Sequence, residues 1–428
     1  MRSRLTLMVG LLYFPVAHAD LQPKQHIGVA GLDFESQVGY DVGYNDNVTW
    51  QHDENRASAT NYQRLTPSLS VSGKRYEDQY LLAYTGDYRQ YQSDSADNRS
   101  DHTFLLAGNW RLGQMHGVEV NLYDALGHED RGKDSSEGFT PEQFQEFGIN
   151  KPIATHFTSG QVRYTYGAPE GRGHASVALQ HTQLRYRDLN TIHDTDVDFY
   201  NYMLDQEWHT NSLIAEIFDQ KAKNLRYRYS FITNQRRYEL NPLKDSNEYY
   251  FAVTMRNHFT SQIEVNAYLA WLYKGFLNNP DSSPFSGLNW DVDSTWTPLK
   301  QIKVNLHSSK TIKDPSDSGG YTQVMTNGLS YEHHWWVDRF STIVDYSHIT
   351  ESYKNESDGR RDKKNLLSLT FNYDFRPSIN FKLKLQWDTL HSNKKTDVFF
   401  IGPDNDREVD RTLGYDDSAI IFMTQVQI

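Results

Sequence analysis

From residue 20 to residue 428 one pattern recurs from end to end: apolar and polar residues alternate with a period of two. Leu32, Phe34, Val38, Tyr40, Val42 and Tyr44 share one parity, and Asp33, Glu35, Gln37, Gly39 and Asp41 the other. Ile263, Val265, Ala267, Leu269, Trp271 and Tyr273 alternate with Glu264, Asn266 and Tyr268. Leu367, Leu369, Phe371 and Tyr373 alternate with Ser368, Thr370 and Asn372, and Phe381, Leu383, Leu385 and Trp387 with Lys382, Lys384 and Gln386. Side chains of a strand point in turn to its two faces, so each run describes a strand with one apolar and one polar face. Apart from one short piece, no helical periodicity is sustained. No run of about 20 apolar residues exists to cross a membrane as a helix.

Two environments produce that pattern: a soluble sandwich, or a closed barrel with lipid outside and water within. Three features favour the barrel. Charges stand inside long strands, at Arg226, Arg228, Lys382 and Lys384. Aromatic residues gather at strand ends, as in Tyr84/Tyr88/Tyr91 and Trp290/Trp296, where interfacial girdles lie. Short and long connections alternate. Composition agrees: aromatic residues make up 14% of the chain although the mean hydropathy is −0.74. Only alternate strand residues of a wide barrel need meet lipid. The absence of cysteine excludes a disulfide scaffold, and a net charge of −12 argues against a nucleic-acid partner.

Strands are expected near 32–44, 60–73, 76–91, 101–112, 116–127, 155–167, 173–187, 196–208, 224–238, 247–258, 261–274, 285–297, 300–312, 320–334, 338–351, 363–375, 378–391 and 416–428. The fold class is therefore all-β: a transmembrane antiparallel β-barrel of about 18 strands, with 16 as the second count. Short periplasmic turns face long extracellular loops, of which 45–59, 128–154 and 392–415 are the longest. Residues 212–222 (SLIAEIFDQKA) resist the scheme. A nineteenth strand would make the count odd and invert every later loop. The segment is read instead as a short helix in a periplasmic turn between strands 8 and 9.

Residues 1–19 read as a secretory signal peptide, with Arg2 and Arg4 ahead of the apolar stretch Leu5 to Val16 and the small-x-small site Ala17-His18-Ala19. The mature domain, 20–428, is then a single barrel starting at Asp20. Ile420, Phe422, Val426 and Ile428 alternate to the last residue, which suits export through the outer-membrane barrel assembly machinery.

The run Val38-Gly39-Tyr40-Asp41-Val42-Gly43-Tyr44-Asn45-Asp46-Asn47-Val48 ends a strand in a Y-x-D-N-V turn. Thr66-Pro67-Ser68-Leu69-Ser70-Val71 follows, then Leu81-Leu82-Ala83-Tyr84-Thr85-Gly86-Asp87-Tyr88-Arg89-Gln90-Tyr91. Together these resemble the N-terminal signature of the beta-barrel porin 2 family. The turns Trp296-Thr297-Pro298-Leu299-Lys300-Gln301-Ile302 and Phe375-Arg376-Pro377-Ser378-Ile379 are also similar to that family. Members include outer-membrane barrels encoded with exopolysaccharide and capsule secretion machinery, such as VpsM-like proteins. The resemblance implies localisation in the bacterial outer membrane and a passive pore for export of an exopolysaccharide or capsular polysaccharide. The partners it implies are the polysaccharide cargo and a periplasmic polysaccharide-export protein docked on the turns, 212–222 among them. The alternative is a general diffusion porin for small solutes, with loop 128–154 folded inward as a constriction.

Neither a nucleophile elbow (G-x-S-x-G), nor H-E-x-x-H, nor a P-loop is present, so no enzyme, catalytic residue or cofactor is expected. His333 and His334 are adjacent and point to opposite faces. His128-Glu129-Asp130 reads as a solvated loop, and the histidines show no metal-like spacing. The acidic loop residues Asp46, Asp53, Glu54, Asp404, Asp406 and Asp410 read as hydrated groups facing lipopolysaccharide.

By parity the lumen face includes Asp33, Glu35, Asp41, Arg163, Arg226, Arg228, Glu264, Asn266, Asp291, Asp293, Lys303, His307, Asp345, Lys382 and Lys384. Both signs of charge are present, which suits a polar, hydrated solute. Tyr123, Tyr250 and Tyr268 share that parity and are candidates for stacking on sugar rings.

Overall fold

The computed structural model describes residue 28 and residues 31–427, apart from 54–55, 94, 169–170, 281, 314–320, 336–338, 355–358 and 404–405. The expected signal segment 1–19 and Ile428 lie outside the described residues.

Eighteen strands form one sheet. They are β1 (Leu32–Asn45), β2 (Thr60–Arg75), β3 (Asp78–Tyr91), β4 (Arg99–Leu112), β5 (His116–Glu129) and β6 (Ile153–Tyr166). β7 (Gly173–Arg187), β8 (Trp208–Ala222), β9 (Leu225–Tyr238), β10 (Ser246–His258), β11 (Ile263–Phe276) and β12 (Phe285–Leu299) continue the wall. β13 (Ile302–Lys313), β14 (Tyr321–His334), β15 (Phe340–Lys354), β16 (Arg361–Arg376), β17 (Ile379–Ser392) and β20 (Tyr415–Gln427) complete it. A separate hairpin, β18 (Thr396–Ile401) and β19 (Arg407–Thr412), lies in the connection before β20. Neighbouring strands pair antiparallel, and β20 pairs with both β17 and β1, setting Val42 opposite Phe422. The sheet is closed, so no edge is left to template another chain.

Alternation now has a direction. Outward positions carry Val162, Leu179, Ile217, Phe251 and Trp271, each more than half exposed. Burial in lipid, not in a protein core, is what such residues are suited to. Strands run from 12 residues in β13 to 16 in β2 and β16. Tilted at about 40°, they outreach an apolar band about 25 Å tall, and the ring has a backbone diameter of about 35 Å.

The two ends differ as the sequence predicts. Residues 76–77, 113–115, 223–224, 300–301 and 377–378 close tight turns at one end. Residues 46–59, 130–152, 188–207 and 393–414 make long connections at the other.

Two segments exchange their predicted states. Residues 196–208, expected as a strand, hold α3 (Val197–Leu204), directly after α2 (Asn190–Thr195). Asp196 caps α3 by accepting the Phe199 N–H at 2.9 Å. Phe199, Tyr202 and Met203 are its buried residues, at helical and not strand spacing. Residues 212–222, expected as a helix in a periplasmic turn, belong to β8. The strand hides its alternation because Ile214 and Phe218 occupy inward positions, and Phe218 stacks on inward His174 at 4.5 Å. The count stays even because one error replaces the other. Tyr84 and Tyr88 point outward, but Tyr91 points in and packs on Tyr62 at 5.8 Å, so it is not a girdle residue.

Candidate functional site: the bore and its covered mouth

Register pairs carry one face around the whole ring. Asp41 lies opposite Arg64, Arg64 opposite Arg89, and Arg89 opposite Arg99. In the other direction Asp41 lies opposite Met423, and Met423 opposite Lys382. This is the face away from the exposed apolar residues. The three arginines form a transverse row on β2, β3 and β4. Arg64 grips Asp87 with two N–H donors at 2.8 and 2.6 Å and lies 3.6 Å from Asp41. Arg99 pairs with Asp130 and lies 3.6 Å from Asp101. The same parity rule that selected other inward charges could have found this row.

The nominated lumen residues fall on this face in distinct groups. Arg163 and Arg228 converge on Glu216 of β8, Arg228 at 3.6 Å. Ser230 donates to the same carboxylate at 3.2 Å. Glu216 lies within 212–222, where the sequence predicts a helix and parity therefore assigns no lumen residue. Arg226 lies opposite Arg256, which donates to Glu264 at 2.7 Å. Asp345 accepts from Ser368 at 3.3 Å, and Lys303 lies 3.9 Å from Glu332. Lys382 and Lys384 stand two apart on β17, with Lys384 opposite Ile421.

Asp291 and Asp293 on β12 meet His307 on β13, whose Nδ1 lies 2.9 Å from Asp293 and 3.7 Å from Asp291. Ligating atoms of the three lie within 4.8 Å of one another, so spacing across strands, invisible as a linear motif, supplies a potential metal-ligand set. Tyr268 lies opposite Asp291. Tyr250 donates to Glu248 at 2.9 Å, and Lys274 donates to the other oxygen of that carboxylate at 2.9 Å. Tyr123 packs edge-on against Phe157. Among the described residues no ring contact joins the three tyrosines, so they do not form a continuous stack. His333 and His334 sit at the short-turn end on opposite faces, with His334 3.0 Å from Glu332. His128 and Asp130, expected in a solvated loop, are instead held by Asp101 and Arg99.

The long-loop end is covered. Thr140-Pro141-Glu142-Gln143 makes a capping box that starts a six-residue helix, α1 (Pro141–Glu146), within 130–152. Phe139, Phe144, Phe147 and Ile149 of this loop pack with Ile192, Phe199 and Met203 of 188–207 and with Phe399, Ile401 and Val409 of the β18–β19 hairpin. Phe139 and Phe399 stack at 6.0 Å, and Phe147 lies 4.7 Å from Phe199. Three loops thus share one buried apolar core, which Ile153 at the start of β6 joins to the wall. Two glycines permit the close approach. A Cβ on Gly132 would lie 2.0 Å from the Thr49 carbonyl, and one on Gly138 2.5 Å from that of Thr412; both have positive φ.

Loop 130–152 also reaches the far side. Its Glu137 lies 3.7 Å from Arg360, which stands just before β16. Eight strands separate the two roots one way round the ring and ten the other, so the loop crosses the mouth. Arg360 further binds Asp362 at 2.6 Å and Asp397 of the hairpin at 2.7 Å, and Arg411 joins Asp397 at 3.0 Å. Burial holds the Glu137 carboxyl above its ordinary range despite Arg360. Lys133 sits 3.3 Å from the Trp50 ring centroid, and burial with Lys364 nearby pushes it down to about 8.

No protein-family model matches the chain, and no curated protein matches it. Among solved structures it is similar to the outer membrane protein OpdK from Pseudomonas aeruginosa. There the TM-score is 0.50 at 9% identity, over 92% of this chain and 99% of that one. A second structure of that protein, OccK1 (OpdK), gives 0.50 at 8% identity over the same shares. OpdQ from the same organism gives 0.48 at 9%, over 94% and 99%. At such identity the likeness is one of fold. The chain is an outer-membrane β-barrel of porin architecture, its short turns periplasmic and its long loops extracellular.

Proposed function

We propose that the chain is a passive, non-enzymatic outer-membrane channel for small polar solutes. The observation that carries this reading is the loop 130–152 that crosses the extracellular mouth of a bore lined by paired charges of both signs. A lumen of Asp, Glu, Arg and Lys held in ion pairs keeps water in the bore and disfavours apolar cargo. The folded loop core narrows the mouth, which limits passage by size. The lumen-lining residues named above, Tyr123, Tyr250 and Tyr268 included, are the groups a solute would meet.

Polysaccharide export is the second reading, supported by the sequence resemblance to beta-barrel porin 2 proteins. Its periplasmic platform is not where it was expected: the β8–β9 turn is only residues 223–224, and the helices lie at the extracellular mouth. An export role would require the loop core to swing aside for a polymer, and a periplasmic export partner would have to dock on short turns.

Planar-bilayer recording and liposome swelling with sugars of graded size separate the readings. Steady conductance with a sharp size limit from the purified protein supports the diffusion channel. A silent barrel, together with loss of surface polysaccharide on gene deletion, would overturn it in favour of export.

A further inference from the structure

On one sector of the outer wall the apolar band ends in a row of three residues. Tyr346 of β15, Leu367 of β16 and Trp387 of β17 lie directly opposite one another and are 43, 40 and 42% exposed. Toward the extracellular end the same outward parity carries Lys354 on β15, Arg361 and Lys363 on β16, and His391 on β17. All four are exposed. Lys363 lies opposite His391, and Arg361 opposite Ser352, two residues before Lys354. Direct partners have Cβ atoms about 5 Å apart and diagonal ones about 7–8 Å, so the four side chains converge on one small area.

The carboxylates in these strands point the other way. Glu351, Asp362 and Asp388 face the bore, where Lys313, Arg360 and Lys364 take them. The outward cations therefore have no ion pair among the described residues, in a chain whose net charge is −12. Lys363 is four residues beyond Leu367, about 13 Å along the strand and about 10 Å along the membrane normal. An amphiphile whose acyl chains lie on the apolar row would hold its headgroup at that height.

We propose that Lys354, Arg361, Lys363 and His391 bind the phosphorylated headgroup of an outer-leaflet glycolipid, with its acyl chains against Tyr346, Leu367 and Trp387. The apolar row directly beneath the cations is what fits a lipid better than a free anion. Each arginine or lysine at a membrane surface strengthens binding to an anionic lipid about fivefold. The site is independent of what passes through the bore.

The test uses the purified full-length protein in detergent, incubated with bisphosphorylated lipid A and, separately, with dephosphorylated lipid A. Bound lipid is counted by native mass spectrometry. The expected result is retention of the bisphosphorylated form, reduced about tenfold or more by R361Q/K363Q and to a similar extent by dephosphorylation. W387A should lower retention of the phosphorylated lipid as well. Because these side chains are exposed, heat-modifiable gel mobility should show an unchanged barrel. Equal retention of both lipids, unchanged retention by R361Q/K363Q, or full displacement by an equimolar amount of inorganic phosphate would overturn the assignment.

Discussion

Glu137 and Arg360 meet at 3.7 Å although their loops are rooted on nearly opposite sides of the barrel. The Arg360 side chain is only 2% exposed and is also bound by Asp362 and Asp397. One guanidinium thus ties the mouth-crossing loop, the rim of β16 and the β18–β19 hairpin into a single unit. A planar fork of five donors is suited to three carboxylates in a way that a lysine is not.

Arg360→Ala should loosen that unit without opening the wall. Removing one member of a buried charge cluster costs about 3–5 kcal/mol, because the carboxylates left behind are no longer compensated. The expected outcome in single-channel records is a higher mean conductance with frequent fluctuations. Arg360→Lys should restore only part of the wild-type behaviour. An unchanged trace for R360A would show that the cluster does not hold the mouth.

Phe199 is wholly buried where α3 meets Phe139 and Phe147, beside Tyr202 of the same helix. Phe199→Ala should cost the loop core about 3–5 kcal/mol. Limited proteolysis of the membrane-embedded protein should then cut within 130–152 and 188–207 several times faster. Heat-modifiable gel mobility, which reports the barrel, should not change. Simultaneous loss of both would mean that the loops and the wall fold as one unit.

The legible part of this fold is the part whose rule is local. Alternation needs only neighbours in sequence, so seventeen of the eighteen strands and inward residues such as Asp291, Lys303 and Lys382 could be placed by parity. The rule fails where both faces are apolar. In β8, Ile214 and Phe218 point inward beside outward Ile217, and the run loses its period. It fails again in α3, where Val197 and Phe199 flank Asp198 as they would in a strand, although the buried set follows a helix. The mouth was illegible for a different reason. Its core joins Phe139, Phe199 and Phe399, residues far apart in the chain, and no local pattern announces that they meet. The Asp291, Asp293 and His307 cluster shows both regimes: the aspartates are two apart on one strand, but their histidine arrives only through the register of β13.

Lys133 gives the mouth a pH dependence. Burial, with Lys364 nearby, holds its ammonium at about 8, below the ordinary value of 10.5. The unfolded loop therefore keeps a proton that the folded loop gives up between those values. Stability of the folded loop rises with pH across that window, and the penalty is fully present below about 8. Protease resistance of 130–152 should increase between about pH 7.5 and 9.5 in the wild type. Lys133→Met should be more resistant at neutral pH and lose that rise. Parallel profiles for the two proteins would assign the pH response to another group.

Glu216 is the lumen carboxylate shared by Arg163 and Arg228, and it is 11% exposed. Glu216→Gln keeps the shape and a hydrogen-bonding oxygen for Ser230 but removes the negative charge between two arginines. The bore gains one net positive charge at a point where neither arginine has another ion pair among the described residues. Anions should be favoured, with the chloride-to-potassium permeability ratio rising on the order of twofold at low salt and the effect fading as screening increases. The local stability cost should be about 1–3 kcal/mol, since a hydrogen bond to a charged acceptor is weakened but no cavity is made. Reversal potentials under a KCl gradient, measured at two ionic strengths, check the permeability ratio and its salt dependence. An unchanged ratio at low salt would place the Arg163–Glu216–Arg228 cluster outside the ion path and confine its role to holding β6, β8 and β9 in register.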